Sequence, residues 1–166
     1  MPNWCSNEVS VYAESEKEME EFVSFVKSKK NEEAFSFQSI LPMPEELEGT
    51  ISPTDVISQE EYDNIEPEKF EAMFNKPITQ QTSDRLNEQY GHNNWYDWAN
   101  NNWGTKWEVS NVDMSQDSDD GAQYEFDTAW SPPEGIFYAL EKKFPKLSIS
   151  WFYREDGNQI AGWLNE

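Results

Sequence analysis

The amino-acid sequence predicts an α+β fold in which an antiparallel sheet carries helices on one face. Six short segments have the apolar patterning of strands, and two longer segments repeat apolar residues at helical spacing. Their order along the chain is β-α-β, a long acidic insertion, and then β-β-α-β-β. This order predicts a two-layer sandwich of ferredoxin-like type with extra strands.

The first part of the predicted sandwich is a strand followed by a helix. Residues 7–12 alternate apolar and polar side chains, which is typical of a half-buried strand. Ser15 and Glu18 then have the spacing of a capping box, and the helix after them carries an apolar stripe. The stripe consists of Met19, Phe22, Val23 and Val26. Residues 34–41 are predicted to form a second strand, which Pro42 ends.

Residues 45–88 differ in composition from the rest of the chain. They hold twelve acids and three bases, a net charge of −9, and few apolar residues. We therefore predict a single ferredoxin-like domain over residues 1–166 that carries an acidic insertion of loops and short helices at 45–88.

The second part of the sandwich begins with a Trp-rich segment. Residues 95–107 contain four of the eight Trp, and the spacing of Trp95, Trp98 and Trp103 predicts a short helix clamped onto the sheet. The remaining predicted elements are strands at 106–114 and 122–129, a helix after Pro133, and strands at 147–153 and 159–164. Asp156-Gly157 predicts the hairpin turn between the last two strands.

The charge of the chain excludes two classes of partner. Its 33 acids and 12 bases give a net charge of −21, which repels nucleic acid and anionic membranes. A single cysteine, Cys5, allows no intramolecular disulfide. The N-terminus lacks the regions of a signal peptide, and no apolar run is long enough to span a bilayer. We predict a cytoplasmic protein.

Four short motifs occur in a characteristic order. They are Asn3-Trp4-Cys5-Ser6-Asn7, Leu41-Pro42-Met43-Pro44, Asn102-Trp103-Gly104-Thr105-Lys106-Trp107 and Phe126-Asp127-Thr128-Ala129-Trp130-Ser131-Pro132-Pro133. Together they resemble the Api92/YubB family, a ferredoxin-like domain of unknown function. Members of that family are encoded by phages, plasmids and other mobile elements of bacteria. The resemblance therefore implies an accessory protein of a mobile element, and it carries over no catalytic residues.

The sequence offers weak candidates for chemistry. Cys5 and His92 are the only residues of their types, but a reactive thiolate needs an electropositive setting that this charge opposes. Asp117 to Gly121 departs from the ligand spacing of a calcium loop, so we predict a solvated hairpin turn there. We accordingly predict no catalytic residue, no metal and no cofactor.

A small-ligand pocket is an alternative. Trp103, Trp107 and Trp130 would form its walls, with Lys106 and Asp127 as its polar groups. Alternation places Asp127 on the face opposite Tyr124, Phe126 and Thr128, where it is predicted to meet Asn102 and Lys106. The structural interpretation of Asp127 is that it accepts hydrogen bonds from backbone or indole N–H groups.

Three functional hypotheses remain at this point. The leading one is a non-enzymatic protein that binds a basic host or defence protein, with its acids as a mimic of nucleic acid. The others are the ligand-binding module and a small enzyme. The predicted contact surface is the acidic part of the insertion: Glu45, Glu46, Glu48, Asp55, Glu60, Glu61, Asp63, Glu66 and Glu68.

Overall fold

The structure of the protein is a computed structural model that describes residues 1–165. In chain order its elements are β1 (Trp4–Tyr12), α1 (Glu16–Val26), α2 (Phe37–Ile40), α3 (Glu45–Glu48), β2 (Val56–Ile57), α4 (Gln59–Asp63), α5 (Pro67–Ala72), β3 (Ile78–Thr79), α6 (Gln80–Tyr90), α7 (Trp95–Asn102), β4 (Ser110–Ser118), β5 (Gly121–Ala129), α8 (Glu134–Lys143), β6 (Ser148–Glu155) and β7 (Ile160–Leu164). They divide into two compact units. Unit 1 is Met1–Pro42 together with the chain from Asn101 onwards, and unit 2 is Met43–Asn100.

Unit 1 is built on a five-stranded antiparallel sheet with the strand order β4-β5-β1-β6-β7. The first strand along the chain lies at the centre, between the strands that flank the second long helix, and β7 extends one edge. This is the predicted α+β ferredoxin-like sandwich with an extra strand, and the prediction is confirmed.

The helices cover one face of this sheet. Alternate residues of β1 point to that face and are buried, as are Tyr124, Phe126 and Thr128 of β5. Against them the helices bury Met19, Phe22 and Val26 of the stripe predicted for α1, and Ile136, Phe137 and Leu140 of α8. The core is largely aromatic, and its rings meet edge to face, as Phe137 and Trp151 do at 6.0 Å.

The predicted strand at residues 34–41 is wrong. Phe35 is buried and stacks on Phe126 with ring centroids 4.9 Å apart, and residues 37–40 form the single turn α2. The carboxylate of Glu108 accepts the backbone N–H groups of Phe37 and Gln38 at 2.6 and 3.0 Å. Because this side chain satisfies donors that a strand would pair with a neighbour, the segment packs onto the sheet instead of joining it.

The second strand of the sandwich comes instead from β4, after the insertion. This strand begins at Ser110 and not at Lys106. Glu108 lies in the irregular segment before it, and its carboxylate accepts a backbone N–H group of α2. The predicted turns are confirmed: Asp119 and Asp120 connect β4 to β5, and residues 156–159 connect β6 to β7. The capping box is confirmed in part, because Ser15 Oγ accepts the N–H of Glu18 at 3.3 Å.

Unit 2 consists of short helices and a two-stranded parallel sheet of β2 and β3. Its bounds, residues 43–100, are wider than the predicted insertion at 45–88. The short helices follow the predicted pattern, and Tyr62 and Phe70 meet edge to face at 5.5 Å. Across residues 1–165, no helix combines the length and apolar character that crossing a membrane requires.

The second face of the five-stranded sheet is exposed to solvent. Its residues alternate with the core residues along β1, β5 and β6. We call it the open face and define it by Trp4, Glu8, Glu125, Phe152 and Trp163.

Candidate functional site

The nine acids predicted to contact a partner all lie in unit 2, and all nine are exposed. They fall on or beside short helices: Glu45, Glu46 and Glu48 on α3, Asp55 before β2, Glu60, Glu61 and Asp63 on α4, Glu66 at the start of α5 and Glu68 within it. The structure therefore brings the predicted residues into one compact unit.

The bases of unit 2 offset only a small part of this charge. Residues 43–100 hold thirteen acids and three bases, a net charge of −10. Each base makes a salt bridge within the unit: Lys69 with Glu66 at 2.9 Å, Lys76 with Glu71 at 3.4 Å and Arg85 with Glu46 at 2.7 Å. The surface that remains is strongly acidic.

Two of the nine acids also have local structural roles. Glu46 accepts hydrogen bonds from the guanidinium of Arg85 and from the hydroxyl of Tyr90, and these bonds lower the pKa of its carboxyl group. Glu61 accepts the backbone N–H of Ser58 at 2.9 Å in a capping box, which lowers its pKa as well. Both acids are ionised at neutral pH, and their substitution would also disturb the unit.

Trp103 of the predicted ligand pocket is a core residue. Its side chain is 3% exposed, and its ring lies 5.6 Å from that of Phe37. The indole Nε1 donates to the carbonyl of Leu41 at 2.8 Å. The residue thus ties the segment after α7 to the segment that ends at Pro42.

Trp107 and Trp130 differ from Trp103 in environment. Trp107 is 40% exposed and lies against Trp4 at 6.3 Å, while the ammonium group of Lys106 sits 4.1 Å above its ring. Trp130 is 46% exposed. The three Trp do not form one pocket wall, because Trp103 packs into the covered core whereas Trp107 packs against a residue of the open face.

Asp127 lies on the open-face side of β5 and has side-chain partners. Its carboxylate accepts hydrogen bonds from Ser6 Oγ at 3.2 Å and from Asn111 Nδ2 at 2.9 Å. The sequence named Asn102 and Lys106 as its polar neighbours, whereas these two donors are Ser6 and Asn111. Asp127 therefore links β5 to both neighbouring strands, as a structural acceptor of side-chain donors.

Two of the four motifs join directly. Thr105 donates its hydroxyl to the carbonyl of Ala129 at 2.8 Å, and Ser131 donates its own to the carbonyl of Gly104 at 2.6 Å. Gly104 has a φ of +91°, and a Cβ there would lie 2.8 Å from the backbone nitrogen of Glu134. The glycine is required by this close approach as well as by its left-handed backbone.

Comparison with known proteins agrees with this geometry. The family described as a ferredoxin-like domain in Api92-like protein matches residues 102–164, which include both joined motifs, β4 to β7 and α8. Residues 102–164 are thus similar to the ferredoxin-like domain of Api92-like proteins. This match supports the predicted family over these residues.

A solved structure of an Api92 protein supports the same fold. The crystal structure of a protein api92 from Yersinia pseudotuberculosis is similar to this chain with a TM-score of 0.54 and 11% sequence identity. The similarity covers 98% of this chain and 93% of that one. A search of curated proteins finds no match.

The N-terminal motif builds a buried polar network. Asn7 is 1% exposed and donates to Thr128 Oγ1 and to the carbonyl of Cys5, each at 3.0 Å. Its Oδ1 accepts the indole N–H of Trp151 at 3.0 Å. Because the amide is satisfied in both directions, the network stabilises three central strands and presents no group to a ligand.

Cys5 does not have the environment of a nucleophile. It is fully buried on the central strand β1. Burial raises the pKa of its thiol to about 11, so the thiol is protonated at neutral pH. His92, its predicted catalytic companion, belongs to unit 2 and lies in the loop before α7.

The buried thiol makes stability depend on pH. We expect the protein to lose stability between pH 9 and 11, because the Cys5 thiol ionises near 9.0 in the unfolded chain and near 11 in the folded one. The folded state keeps its proton longer, so rising pH favours unfolding. Relative to Cys5→Ala, the wild type should lose about 2 kcal/mol more between about pH 8 and about pH 10.5.

Urea unfolding of both proteins at the two pH values measures this difference. Burial also raises the pKa of the Tyr124 hydroxyl. Both proteins contain this tyrosine, so its effect on stability cancels in the comparison. Parallel losses in wild type and Cys5→Ala would contradict the assignment.

Sequence reasoning missed two features. Glu108 was not singled out, although its carboxylate organises residues 36–38. The open face was also missed, and its signal was available: Trp4 and Tyr12 lie at alternate positions to the buried residues of β1. Strand pairing, which brings the residues of this face together across the sheet, is non-local information.

Proposed function

We propose that this chain is a non-enzymatic accessory protein of a bacterial mobile element that binds a basic host or defence protein in the cytoplasm. The observation that carries the proposal is unit 2, in which a surplus of acids is displayed on short helices. The buried, protonated thiol of Cys5 favours binding over nucleophilic catalysis.

The charge identifies the chemistry of the partner. A net charge of −21 attracts cationic surfaces and accelerates their association, whereas it repels phosphate backbones. A protein that handles nucleic acid presents a cationic surface where phosphates bind. The acids of unit 2 occupy such a surface as a mimic of those phosphates.

A competition experiment tests the proposal. The tagged protein captures its partner from a bacterial lysate, and the purified partner is then offered labelled DNA or RNA with and without this protein. We expect exclusive binding and an association rate that falls steeply as salt rises from low to physiological concentration. Simultaneous binding of both, or an association rate indifferent to salt, would contradict the proposal.

A matched pair of variants locates the contact. The first replaces Glu45, Asp55, Glu60 and Glu68 by their amides, and these four are exposed residues of unit 2. The control makes the same change at four exposed acids of unit 1: Glu14, Glu20, Glu21 and Glu32. We expect only the unit 2 variant to lose competition. Equal losses would show that net charge alone acts.

A further inference from the structure

The open face combines solvent exposure with large aromatic rings. Trp163 is 58% exposed and lies 5.1 Å from Phe152 on the neighbouring strand. Trp4 is 41% exposed and lies 6.3 Å from Trp107. Aromatic rings of this size are usually buried in a core or in an interface. Their presence on a solvent-facing sheet indicates a binding surface.

Carboxylates adjoin these rings at the centre of the sheet. The strand register places Glu8 directly opposite Phe152 on one side and Glu125 on the other. Asp113 continues the same row opposite Glu125. Directly opposite residues with like charge repel each other, so the row costs stability in the free protein. A bound cation would relieve this repulsion.

The cations already near this surface show what it accommodates. The ammonium group of Lys106 lies 4.1 Å from the centroid of Trp107, which is a cation–π contact. Arg154, on the same side of β6, pairs with Asp156 at 3.0 Å. Both cations thus have partners of their own, whereas Glu8 and Glu125 continue the row of paired residues that begins at Trp163 and Phe152.

We propose that the open face is a second docking surface, which binds arginine or lysine side chains of an extended segment of a protein partner. The cationic head groups pair with Glu8 and Glu125, and their stems or planes lie on the rings of Trp163 and Phe152. This surface belongs to unit 1 and is independent of the acids of unit 2 through which the proposed function acts.

Charge complementarity selects this occupant over two others. A nucleic acid would bring its phosphates against the carboxylate row, although the rings alone would suit stacked bases. A second copy of this chain would place its own Glu8 and Glu125 against the same acids, with a further −21 charges behind them. A cationic peptide meets both the rings and the carboxylates favourably.

The test is a titration of the full chain with a short blocked peptide of alternating arginine and serine. Binding is monitored through the assigned NMR signals of the Trp indole N–H groups. We expect the signals of Trp163 and Trp4 to shift together with saturable binding. The same peptide with citrulline in place of arginine, which has the shape without the charge, should bind at least about fivefold more weakly.

Matched variants separate this surface from unit 2. Glu8→Gln with Glu125→Gln removes two carboxylates from the open face, and Glu60→Gln with Glu68→Gln removes two from unit 2. We expect the first pair to weaken peptide binding roughly five- to tenfold and the second pair to leave it within about twofold. Trp163→Ala should weaken peptide binding as much as the first pair does. Because this ring is exposed, its removal should leave the fold intact.

Two outcomes would overturn the proposal. One is equal weakening by both pairs of substitutions, which would mean that only net charge attracts the peptide. The other is equal binding of the citrulline peptide. Neither outcome affects the proposed function, which is lost only with the acids of unit 2, and thermal melts of each variant confirm that it is folded.

Discussion

Replacing Trp103 with alanine is expected to lower the free energy of unfolding by about 3–5 kcal/mol. The side chain is 3% exposed, lies 5.6 Å from the ring of Phe37 and donates its indole N–H to Leu41 at 2.8 Å. Alanine would leave a cavity in the covered core and remove the donor from a buried carbonyl. Urea unfolding followed by circular dichroism measures the loss.

Trp130→Ala is the matched control. Trp130 is 46% exposed and has a φ of +70°, which is unfavourable for a bulky side chain. Its truncation should cost less than about 1 kcal/mol. The prediction for Trp103 fails if its variant unfolds within about 0.5 kcal/mol of wild type, which is the behaviour of a surface residue.

Gly135→Ala is expected to lower the free energy of unfolding by about 3 kcal/mol, although alanine is the better helix former. A Cβ at this position in the first turn of α8 would overlap the backbone carbonyl oxygen of Asn102 and lie 3.3 Å from the carbonyl carbon of Trp103. The N–H of Gly135 donates to the carbonyl of Trp103 at 3.1 Å. These atoms are backbone and cannot yield as a flexible side chain would, so α8 must move away from residues 102–103.

Gly49→Ala provides the comparison for this substitution. Gly49 has a φ of −87°, and a Cβ there meets no atom within 4 Å. Its replacement should be neutral or stabilise by up to about 1 kcal/mol, chiefly through the unfolded state. If Gly135→Ala melts at the wild-type temperature or above it, the close contact of Gly135 with residues 102–103 is not required.

Elements with strong local signals are predictable from this sequence. The alternation in β1, the apolar stripe and N-cap of α1, and the buried face of α8 all follow from the sequence pattern and appear in the structure. Each depends on residues within a few positions of one another, where backbone geometry alone decides which side chains share a face.

Residues 34–41 show where local pattern fails. Two Phe at alternate positions are compatible with a strand and with a turn that buries both rings. The turn is selected by Glu108, about seventy residues later in the chain, whose carboxylate accepts the backbone N–H groups of the segment. Local sequence contains no record of this partner.

The candidate surfaces divide in the same way. The charge of −21 and the concentration of acids near residues 45–68 are properties of the sequence, and they are the basis on which we propose a cationic partner. Only the tertiary structure decided which Trp side chains are buried and which residues become neighbours across the sheet. It buries Trp103, leaves Trp107 and Trp130 exposed, and forms the row from Phe152 through Glu8 to Glu125. Strand pairing sets these neighbours, and it depends on contacts between residues more than a hundred positions apart, which a local pattern cannot specify.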